Sequence, residues 1–193
     1  GNFGNILSAF YAKKMGLPID RLICASNYNN VLTDFIGSGV YDANRELYKT
    51  ASPSMDILIS SNVERLLFEL LRHDTAALAR YLKDLSQSGM YKISSKLKNE
   101  LNEHFSAGWS NDDETFAEIK KSFEEYTYLP DTHTAVALSV LEKYRKRTGD
   151  ERKTLVAATA SPFKFAPDIY FALTGKCHEP AQQCVKMLSE LTE

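Results

Sequence analysis

Residues 1–5, Gly-Asn-Phe-Gly-Asn, set two glycines and two asparagines directly ahead of an apolar-periodic segment, residues 6–15. Glycine admits positive φ and has no Cβ, so successive backbone N–H groups can turn toward one point. The helix that follows directs its unpaired N–H groups and the positive end of its dipole to the same place. An anion, most often a phosphate, suits such a loop. The spacing is neither the Gly-x-x-x-x-Gly-Lys-Ser/Thr of a P-loop nor Gly-x-Gly-x-x-Gly. On spacing alone the stretch therefore reads equally as an anion cradle or as a ligand-free strand-to-helix turn.

Three further groups of residues have the types for chemistry. Asp131 and His133, in Asp-Thr-His-Thr-Ala, stand just before a helix. A His–Asp pair with no Ser or Cys in register is not a triad. The preferred reading is a helix cap, with Asp131 accepting backbone N–H groups. Cys177, His178 and Cys184 cluster near the end of the chain. Zinc takes about four ligands at fixed spacing, so these read as structural thiols and no metal site is expected. Ser54, Asp56, Asn62, Arg65 and the Ser-Asn-Tyr-Asn-Asn turn at residues 26–30 are polar enough to reach a substrate, and equally able to cap helices. Ser61 and Glu64 have capping-box spacing. His73 and His104 are expected at the surface.

The elements that must position these groups alternate. Residues 6–15 read as a helix with Ile6, Leu7, Phe10 and Tyr11 on one face, Lys13 and Lys14 toward its end, and Gly16 and Pro18 terminating it. Arg-Leu-Ile-Cys-Ala-Ser is a candidate buried strand, followed by a short helix from the Asn-rich turn. Helix, strand and helix at this spacing predict α/β units around a parallel sheet. From about residue 61 to 130 the pattern is helical: Val63, Leu66, Leu67, Leu70 and Leu71; then, after an Asp74 cap, Leu78, Tyr81, Leu82 and Leu85; then Ser-Ser-Lys-Leu-Lys-Asn-Glu-Leu; then a helix from Asn111 with Asp112, Asp113 and Glu114 in its first turn, where the dipole favours negative charge. This is read as a helical insert, 61–130, between two α/β portions, 1–60 and 131–193. The second portion holds a helix ended by Gly149, a buried strand at residues 153–160 (Lys-Thr-Leu-Val-Ala-Ala-Thr-Ala), a loop and helix, and a last helix with Cys184, Leu188 and Leu191 at core spacing.

The 193 residues are 44% hydrophobic and 25% charged, enough to bury a core. A net charge of −2 offers no basic field for nucleic acid or an acidic membrane. No stretch is long and apolar enough to span a bilayer. Three cysteines, none in a Cys-x-x-Cys, fit a reducing compartment, so the cytoplasm is expected.

Five motifs, in order, carry a specific resemblance: Gly-Asn-Phe-Gly-Asn-Ile-Leu from residue 1, Ile-Cys-Ala-Ser-Asn-Tyr-Asn-Asn-Val-Leu-Thr-Asp-Phe, Ser-Pro-Ser-Met-Asp-Ile-Leu-Ile-Ser-Ser-Asn-Val-Glu-Arg-Leu-Leu, Asp-Thr-His-Thr-Ala-Val-Ala-Leu, and Ala-Thr-Ala-Ser-Pro-Phe-Lys-Phe. Together they resemble the C-terminal half of threonine synthase. The likeness runs through nearly the whole chain and is weakest between His73 and Pro130. It implies part of the Rossmann-like, three-layer large domain of a fold type II pyridoxal-phosphate enzyme, one that converts O-phospho-L-homoserine and water to L-threonine and phosphate. It implies that Gly1, Asn2, Phe3, Gly4 and Asn5 hold the cofactor phosphate and that Thr159 hydrogen-bonds the pyridine nitrogen. Without the resemblance, Thr159 reads as a strand-end hydroxyl capping the next turn.

One departure matters. The family's Schiff-base lysine lies in a Ser/Ala-Phe-Lys-Asp stretch upstream of the glycine loop, and no such stretch occurs here. Lys164, in Pro-Phe-Lys-Phe, belongs to the last motif and is not proposed for that role. The chain is therefore expected to be a C-terminal fragment, inactive alone, whose first partner is the N-terminal half of its own enzyme. Two alternatives stay open: a serine/threonine dehydratase-like enzyme, whose phosphate loop usually carries a run of glycines unlike this one, and a non-catalytic remnant that acts as a binding module.

Overall fold

A computed structural model of the chain describes residues 2–176 and 180–192, arranged in two compact units. The first comprises Gly1–Tyr48 and Ser54–Trp109, the second Lys49–Pro53 and Ser110–Glu193. The mixed α/β character expected from the alternation of elements is present.

In the first unit, helix α1 (Gly4–Lys14) leads to strand β1 (Leu22–Ser26), helix α2 (Val31–Ser38) and strand β2 (Val40–Asp42). Helices α3 (Val63–Leu70) and α4 (Thr75–Ser88), strand β3 (Met90–Lys92), helix α5 (Ser95–His104) and strand β4 (Phe105–Trp109) follow. β1 and β4 pair in parallel, from Leu22 opposite Phe105 to Ser26 opposite Trp109. β2 and β3 pair antiparallel, with Tyr41 opposite Tyr91. The helices form because their apolar residues recur on one side: α3 buries Val63, Leu66, Leu67 and Leu70, and α1 buries Leu7 and Phe10. Each such side chain contributes about 1.5–3 kcal/mol when fully buried. Asp74 caps α4 through the Ala77 N–H at 2.9 Å, as its position before the apolar run predicts. Gly89 ends α4 with φ +73°, the left-handed conformation that favours glycine at the turn into β3.

Two expectations for this stretch change. Residues 61–130 are not helical throughout: they contain β3 and β4. Phe-Ser-Ala-Gly-Trp is short and has no β-branched residue, and its pairing with β1 joins segments some eighty residues apart, a choice that local pattern does not encode. The Ser61/Glu64 capping box does not form either. The N-cap of α3 is Asn62, with no side-chain cap, because Ser61 bonds to Asn2 instead.

The second unit is built on helices α6 (Asp112–Tyr126), α7 (Thr132–Thr148), α8 (Ala166–Thr174) and α9 (Ala181–Thr192). Their shared core holds Ile119, Ala135, Phe165, Ala166, Ile169, Cys184 and Leu188. α6 opens with a reciprocal capping box: Asn111 Oδ1 accepts the Glu114 N–H at 2.9 Å, and Glu114 accepts the Asn111 N–H at 3.0 Å. Gly149 ends α7 in the left-handed conformation. The buried strand expected at residues 153–160 is absent. The stretch is neither helix nor strand, and Leu155 is 97% exposed. An apolar run of this kind becomes a buried strand only when neighbours bond it on both sides and layers cover both faces. Among the described residues no strand pairs with it.

Candidate functional site

The N-terminal loop has an uncommon backbone. Phe3 is the N-cap of α1 with φ 63° and ψ 7°, the left-handed conformation. For a bulky L-residue this costs roughly 1–2 kcal/mol, so it persists only where surroundings impose it. They do so from two sides. The Phe3 ring is 4% exposed and lies 5.5 Å, centroid to centroid, from the ring of Phe105 on β4. On the other side Asn2 is clasped by the residues that open α3. Its Oδ1 accepts the Ser61 N–H at 2.8 Å, and its Nδ2 donates to Ser61 Oγ at 2.9 Å. Asn62 Nδ2 donates to the Asn2 carbonyl at 2.8 Å.

The consequence falls on the first turn of α1. No side chain caps it among the described residues, and the first of its N–H groups to find an intrahelical acceptor is Leu7, on the Phe3 carbonyl at 3.1 Å. The N–H groups of Gly4, Asn5 and Ile6 precede it, on residues that are exposed or partly exposed. No acid lies in this turn to occupy the positive end of the dipole. A Cβ on Gly4 would meet Asn62 Nδ2 at 3.6 Å, an ordinary contact. The glycine is therefore not demanded by packing, and its bareness leaves the approach to the N–H groups open. This donor set suits an anion such as a phosphate. Of the five residues expected to hold one, Asn2 has its side chain committed to Ser61, Phe3 has its ring in the core, and Gly4 and Asn5 offer backbone. Gly1 lies outside the described residues.

The two polar motifs of the first unit come together. Asp56 Oδ1 accepts from Asn27 Nδ2 at 2.8 Å and from Asn29 Nδ2 at 2.9 Å. Asn29 also pairs with the Tyr48 backbone in both directions, donating to its carbonyl at 2.9 Å and accepting its N–H at 2.9 Å. Asn27 and Asn29 are 1% and 5% exposed, so their amides brace the loops and are not offered to solvent. Tyr41 fastens the same loop further on, donating to the Leu58 carbonyl at 3.0 Å and accepting the Ser60 N–H at 2.8 Å. Ser54 and Arg65 are exposed. Beside the Asn turn lies a cleft of about 290 Å³, lined by Tyr28, Arg45, Glu46, Tyr48 and Trp109 among others. The Tyr28 ring meets Tyr48 and Trp109 edge-on at 4.7 and 5.7 Å. Sequence reasoning missed this aromatic group. Its members are scattered over eighty residues with no shared pattern.

In the second unit Asp131 behaves as a cap. Its carboxylate accepts the His133 N–H at 2.9 Å, the His133 Nδ1–H at 3.0 Å and the Thr134 hydroxyl at 2.5 Å. Burial alone would raise its pKa, but the hydrogen bonds from His133 and Thr134 outweigh it and hold the carboxyl below its ordinary value. Thr159 stands exposed within residues 153–160. The hydroxyl that caps the next turn is that of Ser161, which accepts the Phe163 N–H at 3.3 Å, so the capping role considered for Thr159 goes to its neighbour. Cys184 is fully buried in the helical core. Cys177 and His178 lie outside the described residues. No group of His, Cys, Asp or Glu suited to a metal occurs among the described residues.

No protein-family model matches the chain. Its similarity to individual proteins is extensive. It is 43% identical over 177 residues to threonine synthase-like 1 of Macaca fascicularis, which takes in 91% of this chain and 23% of that protein. It is 35% identical over 189 residues to threonine synthase of Saccharomyces cerevisiae, 91% of this chain and 37% of that one. Among solved structures, the pyridoxal-phosphate-bound threonine synthase of Brucella melitensis superposes with a TM-score of 0.82 at 38% identity, over all of this chain and 44% of that one. The yeast threonine synthase crystal structure superposes with a TM-score of 0.85 at 32% identity, over 98% of this chain and 41% of that one. The chain thus spans about a quarter to two fifths of the length of the relatives it matches.

Proposed function

We propose that this chain, homologous over nine tenths of its length to part of the threonine synthases, supplies the phosphate-binding side of a pyridoxal-phosphate site. The observation that carries the reading is the uncapped first turn of α1, whose N–H groups at Gly4, Asn5 and Ile6 follow a left-handed Phe3. Backbone donors and the helix dipole supply the attraction, so no lysine is needed in the loop. The family's pattern adds Thr159 as partner of the pyridine nitrogen. A hydroxyl there, unlike a carboxylate, leaves that nitrogen largely unprotonated.

The activity proposed for the whole enzyme is the conversion of O-phospho-L-homoserine and water to L-threonine and phosphate, a carbon–oxygen lyase reaction of threonine biosynthesis on a fold type II scaffold. When bound, the cofactor withdraws electrons from the substrate's carbon skeleton so that phosphate can leave and water can add. This chain's residues would hold the cofactor's phosphate and orient its ring. No Ser/Ala-Phe-Lys-Asp stretch occurs among the 193 residues, so the covalent anchor would come from a segment outside them. The division into large-domain portions, 1–60 and 131–193, and an insert, 61–130, that carries β3 and β4 among its helices is proposed for that enzyme. No helix among the described residues is long and apolar enough to cross a membrane, and the cytoplasm is the proposed location.

The test is a titration of the isotope-labelled chain with inorganic phosphate and then with pyridoxal phosphate, following backbone N–H resonances. The expected result is saturable shifts centred on Gly4, Asn5 and Ile6 for both anions. Shifts elsewhere, or none, overturn the phosphate reading.

A further inference from the structure

Asn2 sits in the loop, yet its side-chain amide is committed to Ser61 in both directions. The amide behaves like a segment of backbone, accepting from an N–H and donating to an oxygen of one residue, and this two-point pairing fixes its rotation. The third bond has a sharper consequence. The carbonyl that Asn62 Nδ2 holds at 2.8 Å belongs to the peptide unit joining Asn2 to Phe3. Holding that oxygen holds the plane whose rotation sets the φ of Phe3. Behind Ser61 and Asn62, Val63, Leu66, Leu67 and Leu70 are all buried, so the clasp is mounted on a helix with little freedom to shift.

We propose that Ser61 and Asn62 are positioning residues for the phosphate-binding loop, and that Asn2 is the handle they grip and not a phosphate ligand through its side chain. Their hydrogen bonds hold Phe3 left-handed, and so aim the N–H groups of Gly4, Asn5 and Ile6 at one anion. The proposal rests on the phosphate reading of that loop. It assigns Ser61 and Asn62 a role that neither a helix cap nor a substrate contact would give them. A cap would serve α3, whereas these groups serve α1.

The experiment uses the whole chain with Ser61→Ala, Asn62→Ala and Ser61→Thr substitutions and two readouts. The first is the φ of Phe3 without any anion, from its HN–Hα coupling and carbon shifts. The second is the Kd for inorganic phosphate from the Gly4, Asn5 and Ile6 N–H shifts. Resonances of β1 and β4 report that the fold is retained. Each alanine variant removes one hydrogen bond, which corresponds to roughly a fivefold weaker Kd. Asn62→Ala is expected to take Phe3 out of the left-handed region and to weaken phosphate by about that factor. Ser61→Ala is expected to do so partly, and Ser61→Thr, which keeps the hydroxyl and the N–H, to restore both readouts. If the unsubstituted chain and both alanine variants bind phosphate equally, the positioning role is overturned while the phosphate site stands. If the unsubstituted chain binds no phosphate at that turn, the reading of the loop falls, and the clasp's role in phosphate binding falls with it.

Discussion

At Asp131 three donors converge on one nearly buried carboxylate, and two of them, His133 Nδ1 and Thr134 Oγ1, are side chains with little access to water. Asp131→Ala removes the acceptor and leaves those donors unsatisfied. A lost cap and stranded buried donors together amount to about 3 kcal/mol, so a marked fall in melting temperature is expected. The pH dependence has a definite sign. The folded pKa is lowered from 3.8, so the stability this group contributes is complete above that value and is lost as pH falls below about 4 through the folded pKa. Thermal melts between pH 5 and pH 3 should therefore drop more steeply for the unsubstituted chain than for Asp131→Asn. Equal slopes would mean that the carboxylate contributes nothing through its charge. This residue was legible in the sequence because an Asp one position before a helix performs its task within three residues. Asn2 was not, because its partners lie 59 and 60 positions away.

Among the elements, residues 153–160 and α9 make the useful contrast. Both carry apolar residues at spacings that imply burial. α9 finds its cover within its own unit, where Cys184 and Leu188 are fully buried. Of residues 153–160, Ala160 packs against the core of that unit, while Leu155 stays exposed. Leu188→Ala should accordingly cost about 2–5 kcal/mol through lost burial and the cavity left behind, whereas Leu155→Ser should change stability by no more than about 0.5 kcal/mol. Denaturant midpoints of the two variants check this, and a large loss for Leu155→Ser would show that the segment is covered in solution. Sequence pattern identified the apolar run correctly and assigned it a strand. What pattern cannot supply is the neighbour: a strand is a property of a pair, and a helix is a property of one segment.

For the whole chain, the telling fact is that it matches relatives two and a half to four times its length. The first turn of α1, proposed to bind an anion, has its backbone N–H groups in place, but no Ser/Ala-Phe-Lys-Asp stretch is present in the sequence. The expected outcome of incubating the purified chain with pyridoxal phosphate and O-phospho-L-homoserine is no release of inorganic phosphate above background, measured colorimetrically. Release at an enzymatic rate would refute the argument that the covalent anchor lies outside these residues. Adding the upstream half of a threonine synthase is the natural complement to that assay.

The amino-acid sequence by itself determined the helices and most of their ends, from the Asp74, Asn111 and Asp131 caps to the stops at Gly16 and Gly149, because each depends on interactions within one turn. It also carried the glycines and asparagines of Gly-Asn-Phe-Gly-Asn ahead of α1 and the order of the five motifs that resemble threonine synthase. Only the tertiary structure decided that β1 pairs with β4, that Asp56 gathers Asn27 and Asn29, and that Asn2 is gripped from the head of α3. It alone decided that Phe3, and not a glycine, takes the left-handed position. Those outcomes depend on which distant groups meet, and a contact between residues sixty or eighty positions apart leaves no periodic mark on either segment.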